Sequence, residues 1–378
     1  MNILMLVSWY TKKGSTELEA GVFHNEQSKD LEKYCNMAIY YPFDSDIEEE
    51  YSEAEEWGIR TFRSKYYAGL KNISATKKII SRTMERIIDG FKPDLIHAHC
   101  GYPAGYFARY LSEKYNIPYI VTEHNPIELS RVDKPGLNHF FFKKAYSHSR
   151  ANICVSKDSQ SKLAGVYKKC QFDVIYNGII LPDYEKKTRK YYRDGYLNIV
   201  IVAVLYDLEI KGMKYLLEAV GTLKKQGKKV FLHHIGGGEY LGHFKEQAAL
   251  LGIDDVCEFH GKCERSKLYE IVNEMDFFVS ASLMECSGVS VQEAMLLGKP
   301  VLGTNSGGVD SLVPEYAGMI VKKADSGQLV YGIQEMEKKL TSFDTERIKQ
   351  YALSNFWIEN ISKKYYELYK NITGESGE

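Results

Sequence analysis

The sequence predicts an α/β protein built from two Rossmann-like domains, and three observations carry that prediction. At 378 residues the chain is long enough for two domains of roughly 100–200 residues each. Short apolar runs alternate with helix-spaced segments through residues 1–180, the pattern of a mostly parallel sheet covered on both faces. The alternation then restarts at residue 199, after a polar, charged stretch over 181–198 with nothing to form a core.

In order, residues 3–7 read as the opening strand, 8–21 as a polar glycine-bearing loop and 23–31 as a helix. Strands follow at 37–41, 95–98, 119–122, 151–155 and 173–176, with helices at 74–88 and 105–113. In the second half, strands are expected at 199–204, 230–235, 256–259, 277–280 and 301–304. Helices are expected at 214–225, 244–251, 267–274 and 289–297, the last stopped by Gly298-Lys299-Pro300. The aromatic-rich tail over 345–372 reads as amphipathic helix.

Composition narrows the function. Forty-nine basic residues against fifty acidic ones argue against a nucleic-acid binder. The seven cysteines are odd in number and scattered, with no C-x-x-C pair, so neither a disulfide framework nor a zinc-finger spacing is expected, and a reducing cytosol fits best. The first ten residues lack a basic n-region, and no run approaches the roughly 18 apolar residues of a membrane span. A cytoplasmic, non-exported protein is the expectation.

Ligands of open parallel sheets sit at the carboxyl ends of the strands, so two such domains are expected to hold a ligand between them. The most informative stretch is 282–313, SLMECSGVSVQEAMLLGKPVLGTNSGGVDSLV. Glu285 and Glu293 stand eight positions apart; were both helical, they would differ by about 80° in direction and roughly 12 Å in rise. They could not act on one bond but could grip separated parts of an extended ligand. Gly288 permits close backbone approach, and the helix start at Val289 suits a phosphate. The same spacing also suits an ordinary αβ unit with one loop acid and one helix-face acid.

The E-x7-E segment, the following EAM-x-x-G-K-P-V and the GG turn resemble the retaining glycosyltransferases of family 4, which have the GT-B fold. The resemblance runs nearly end to end, through GVFHNEQSKDL (21–31), HAHCGYPAG (97–105), VTEHNP (121–126), VIYNGI (174–179), KGMKYLLEAV (211–220) and the SNFWIENISKKYYELY tail (354–369). It implies an acceptor-binding domain over 1–180 joined by a C-terminal helix (354–372) crossing back, a linker at 181–198 and a nucleotide-sugar-binding domain over 199–353. It further implies Glu285 against the donor sugar, Glu293 on the ribose, the Gly288 and Val289 backbone on sugar and diphosphate, and the base near Lys262 and Cys263. Lys211 matches the lysine that neutralises the diphosphate, a charge that grows in the transition state.

His124 falls where the family presents a carbonyl and imidazole to the sugar; a lone histidine at a rim equally suits a structural role. Gly21 matches the flexible loop under the diphosphate, and Ser156 a recurring cleft position. The chain departs from the family in having Ala203-Val204-Leu205 where many relatives carry G-R-L, so Lys211 works alone or Arg265 or Lys262 substitutes. Cys286-Ser287 replaces the usual aromatic wall.

The resemblance implies a retaining transfer, by front-face substitution, of a hexosyl or N-acetylhexosaminyl group. The expected donor is a nucleotide-sugar carrying UDP, and the acceptor a glycan or lipid-linked sugar. Other classes left open are a non-catalytic nucleotide-sugar scaffold and a GT-B isomerase or phosphorylase. No metal or other cofactor is expected; Asp44-Ser45-Asp46 opens an acidic run to Glu56 that reads as a solvated loop. Residues 57–150 hold nine lysines and seven arginines against seven acids, and Lys78, Arg82 and Arg86 recur every four residues on an apolar-backed helix. That face suits an anionic membrane surface, or simply water.

Overall fold

The computed structural model describes residues 1–15, 21–124, 136–185 and 189–374. The chain divides into two compact units: unit 1 comprises Met1–Gly178 with Ile358–Glu378, and unit 2 comprises Ile179–Trp357. The chain passes between them twice, and the two passages lie side by side, with the Ile179 N–H donating to the Phe356 carbonyl at 2.8 Å.

Unit 1 is an eight-stranded sheet in the order β3-β4-β2-β1-β5-β6-β7-β8. Its strands are β1 (Asn2–Val7), β2 (Asn36–Asp44), β3 (Tyr51–Glu56), β4 (Ile59–Lys65), β5 (Leu95–His99), β6 (Tyr119–Glu123), β7 (Asn152–Cys154) and β8 (Asp173–Val174). All neighbours pair parallel except the β3–β4 hairpin. Ile3 to Val7 are fully buried, as a strand covered on both faces requires. The helices are α1 (Val22–Leu31), α2 (Ile73–Gly90), α3 (Tyr106–Tyr115), α4 (Leu137–Tyr146) and α5 (Lys157–Val166).

Unit 2 is a six-stranded, wholly parallel sheet, β11-β10-β9-β12-β13-β14. Here β9 is Leu197–Val202, β10 Val230–Ile235, β11 Cys257–Phe259, β12 Phe277–Ser280, β13 Val301–Thr304 and β14 Gly318–Val321. Its helices are α6 (Met213–Lys225), α7 (Leu241–Leu250), α8 (Arg265–Glu274), α9 (Val289–Leu296), α10 (Ser326–Lys339) and α11 (Thr345–Phe356). No helix among the described residues is long and apolar enough to cross a membrane.

Three expectations are corrected. The tail is not one helix: α11 stops at Trp357, whose backbone is extended, and a new helix α12 (Ile358–Thr373) belongs to unit 1. There Ile361, Tyr365 and Tyr369 sit in the core beside Ile3, Leu95 and Ile120. The stretch 181–198 is not a free linker, because its second half docks on unit 2. The Tyr191 and Tyr192 N–H groups donate to Glu274 Oε2 at 2.6 and 3.1 Å, and the Tyr196 ring meets Phe231 at 6.1 Å. Its tyrosines carry apolar area that its polar composition hides.

The acidic run is a solvated loop only in part: residues 45–50 are irregular and mostly exposed, as expected, but Tyr51–Glu56 forms the edge strand β3, whose charges mask its alternation and suit an edge. Asp44 is 3% exposed and accepts from Arg63 Nη1 at 2.6 Å, while Arg63 Nη2 reaches Glu56 at 2.6 Å and the Thr11 carbonyl at 2.9 Å. Arg63 thereby ties the hairpin to the loop after β1. The acids also answer the basic face of α2: Arg82 pairs with Glu50 at 2.8 Å, and Arg86 lies over the Tyr51 ring at 4.7 Å. Removing one partner of a buried pair strands the other charge, so Asp44→Ala is expected to destabilise the protein by about 3–5 kcal/mol in urea titrations, against under about 1 kcal/mol for Glu50→Ala.

Candidate active site

The loops that follow β9, β10, β11, β12 and β13 emerge at the carboxyl edge of the unit 2 sheet; Lys211, Lys262, Cys263, Glu285 and Gly288 stand on these loops, and Val289 and Glu293 in the helix α9 that follows one of them. Lys211 comes from the loop between β9 and α6, Glu285 from the loop after β12. They meet: Lys211 Nζ lies 2.5 Å from Glu285 Oε1, with the Ser282 hydroxyl donating to the same oxygen at 3.0 Å. Both stay open to solvent, with side chains 30% and 17% exposed.

Backbone sets this meeting. The Leu283 N–H donates to the Ile210 carbonyl at 2.7 Å, lacing the two loops together. Gly212 follows at φ 62°, and a Cβ there would lie 1.9 Å from the Ala281 carbonyl oxygen. Only glycine allows this approach, which fixes Lys211 over the end of β12. Glu285 is not helical. Its N–H donates to Ser306 O at 3.1 Å and its carbonyl accepts from Gly308 N at 2.9 Å, so the GG turn clamps it.

Gly288 caps α9 in the left-handed region (φ 61°) with no side chain on the helix start, and Val289 beside it is 41% exposed. Glu293, one turn into the helix, accepts from the Tyr269 hydroxyl at 2.5 Å, and Arg265 Nη2 donates to that hydroxyl at 3.1 Å. Burial and the Glu293 charge push the Tyr269 phenol well up, so it serves as a donor to Glu293. Arg265 also donates to the Ile180 carbonyl at 2.7 Å, which binds it to the Glu293 end and not to Lys211. Lys262 and Cys263 lie just beyond β11, the Cys263 thiol turned to the His260 and Gly261 carbonyls at 3.8 Å. Cys286 and Ser287 are buried, and Gln292 Nε2 donates to Ser287 Oγ at 3.3 Å, so their side chains form no open wall.

Unit 1 presents a different chemistry at its own carboxyl edge. His97 and His99 alternate along β5 and so share a face, where His24 from α1 and His124 after β6 join them. The His99 and His124 rings stack at 5.0 Å, with His99 Nδ1 3.0 Å from His124 Nε2. His97 bridges Thr122 Oγ1 and the Tyr369 hydroxyl, both at 2.7 Å. Glu123 beside them accepts from Gly101 N at 2.8 Å, Tyr146 Oη at 2.6 Å and His124 N at 3.0 Å, anchoring the β6 end. Gly21 begins α1 at φ 75°, and a Cβ on it would press His24 Cδ2 at 2.9 Å. Ser156 is fully buried and turned inward, where its hydroxyl accepts from Ser159 N at 3.2 Å and caps α5. The rest of the VTEHNP motif, at 125–126, lies outside the described residues.

Sequence reasoning missed Ser282, Tyr269 and the histidine cluster. The H-x-H spacing at the end of a strand could have pointed to the cluster, while nothing local pairs Tyr269 with Glu293.

This fold and this rim define a glycosyltransferase of the GT-B class. Residues 32–181 match the description "Glycosyltransferase Family 4" and residues 185–353 "Glycosyl transferases group 1", and the chain belongs to glycosyltransferase family 4. Alpha-monoglucosyldiacylglycerol synthase of Streptococcus pneumoniae is 23% identical over 366 residues, covering 90% of this chain and 79% of that protein. Sucrose-phosphate synthase of Thermosynechococcus elongatus superposes with a TM-score of 0.80 at 17% identity, all of both chains covered. Anabaena HepE in complex with UDP and glucose gives 0.75 at 18% identity, covering 98% of this chain and 100% of that one.

Burial pushes the His97 and His124 imidazoles down to about 3 and holds His24 and His99 well below their ordinary value. All four are neutral at pH 7. In the unfolded chain they take up protons near 6.5, so between that value and about 3 unfolding is coupled to proton uptake. Stability is thus fully present above pH 6.5 and falls on acidification, by up to about 1.4 kcal/mol per imidazole per pH unit. Urea midpoints at neutral and mildly acid pH check this, and His97→Gln is expected to flatten the slope.

Proposed function

We propose that the chain is a retaining transferase moving a hexosyl or N-acetylhexosaminyl group from a UDP-sugar to a glycan or lipid-linked acceptor. The observation that carries the reading is the Lys211–Glu285 pair, laced beside an uncapped helix start at Gly288 and an acid, Glu293, one turn further on. A diphosphate on that helix start gains from its N–H groups and dipole. Lys211, now satisfied by Glu285, turns to the diphosphate as charge develops on the leaving oxygen, stabilising the transition state more than the ground state. Glu293, oriented by the Tyr269 hydroxyl, accepts from the ribose diol, and Glu285 from the donor sugar. Lys262 and Cys263 offer backbone to the base.

In this reading unit 1 serves the acceptor and the reacting sugar. A neutral His124 tolerates positive charge growing on the sugar ring where a protonated one would oppose it. Front-face substitution, the route the family resemblance implies, is the proposed one, the leaving phosphate oxygen taking the acceptor's proton. The transfer itself calls for no metal.

The reading places the enzyme at the cytosolic face of a membrane when the acceptor is lipid-linked, approached by the exposed Lys78, Arg82 and Arg86 of α2. Sedimentation with anionic vesicles is expected to drop for the Lys78→Glu, Arg82→Glu double variant; undiminished binding rejects that approach.

Thermal-shift titration tests the donor site. UDP is expected to raise the melting temperature more than GDP or ADP, and Glu293→Ala to abolish the rise; equal shifts in both proteins reject the ribose assignment. Lys211→Ala is expected to lower donor turnover by about 10²–10³-fold while the protein stays folded. Intact nucleotide binding without any donor turnover in the wild type would mark a binding subunit instead.

A further inference from the structure

Away from the Lys211–Glu285 pair, on the last two strands of the unit 2 sheet, His233, Glu258 and His260 bring one ligand atom each within 4.8 Å of one another. His233 on β10 and Glu258 on the edge strand β11 are register partners, and His260 follows Glu258 by two positions, so all three project to one face. His233 Nδ1 lies 3.0 Å from His260 Nε2 and 3.9 Å from Glu258 Oε2, while His260 Nδ1 lies 3.4 Å from Glu258 Oε1. The His233 and His260 side chains are 1% and 4% exposed, whereas Glu258 is half open. His233 Nε2 is buried and has no hydrogen-bond partner.

We propose that these three side chains form a transition-metal site, of the two-histidine, one-carboxylate kind that suits Zn²⁺, with water completing the shell. Tetrahedral Zn²⁺ with bonds of about 2.0–2.2 Å has ligand atoms about 3.3 Å apart, and the separations here bracket that value. The ion takes the place of the proton between the two imidazoles, which moves to the far nitrogen of its ring; the near-parallel rings, 9° apart, now point these nitrogens at each other and turn so that both face the ion. The Glu258 carboxylate, half exposed, swings in at little cost. The walls suit a dry site. Phe231 packs on His233 with ring centroids 4.9 Å apart, and Tyr191, in the strap that docks on Glu274, meets His260 edge-on at 5.8 Å.

The expected role is structural. The ion would clip the edge strand to β10 and steady the turn that leads to Lys262 and Cys263, without taking part in the transfer. The tag-free full chain, stripped by a chelator, is titrated with Zn²⁺ by calorimetry and with Co²⁺ by visible absorption. One equivalent is expected to bind, to raise the melting temperature, and to give a tetrahedral Co²⁺ spectrum without a thiolate charge-transfer band. Glu258→Gln, isosteric and half exposed, and His260→Gln are each expected to weaken binding at least about tenfold and to remove the thermal shift. Cys263→Ser is expected to change neither. Failure to bind one equivalent, undiminished binding in both ligand variants, or loss of binding in Cys263→Ser overturns the site. UDP binding by the Glu258→Gln protein reads separately on the donor assignment.

Discussion

The Lys211–Glu285 pairing depends on one close backbone approach. With a side chain at position 212, the loop after β9 could not lie against Ala281, and Lys211 would have no fixed relation to Glu285. The ion pair is a consequence of that approach, not its cause: a half-exposed lysine–carboxylate contact is worth too little to hold two loops together. The parallel sheet supplies the rest. Because every strand of unit 2 runs the same way, the loops carrying Lys211, Lys262, Glu285 and the GG turn all emerge at one edge. Chemistry from far-separated sequence positions gathers there without long excursions of the chain.

The two units solve opposite electrostatic problems. Unit 2 displays charge at its rim, where Lys211 meets Glu285 and α9 begins at Gly288. Unit 1 buries four imidazoles and keeps them uncharged, with His97 and Thr122 tied by hydrogen bonds to Tyr369 and Tyr365 of α12. The helix that completes this core comes after the whole of unit 2, so the neutrality of the histidine face depends on residues more than two hundred positions away.

Most strands of both sheets, and the residues of the E-x7-E segment, are legible because their signals are local, though the edge strand β14 is not among those expected: buried strands read as apolar runs, and the motif sits within one loop and one helix. The β3–β4 hairpin is not, because an edge strand carrying Glu53, Glu55 and Glu56 has the composition of a loop, and its partner Arg63 lies outside the run. Helix α11 and helix α12 merged in the reading since both are amphipathic, and the extended residue between them, Trp357, is no helix breaker by type. Ser156 carries two signals at once. A serine before a helix is a capping signal as much as a binding one, and the cap took its hydroxyl. Tyr269 and Gly212 gain their meaning only from neighbours brought up by the fold.

Because α12 fills the middle of unit 1 with Ile361, Tyr365 and Tyr369, the first half of the chain to leave the ribosome is the last to finish folding. Unit 2, continuous from Ile179 to Trp357, has all its strands in hand before that helix is synthesised. Until then Ile3 on β1, Leu95 on β5 and Ile120 on β6 lack the cover that Ile361, Tyr365 and Tyr369 give them in the folded protein.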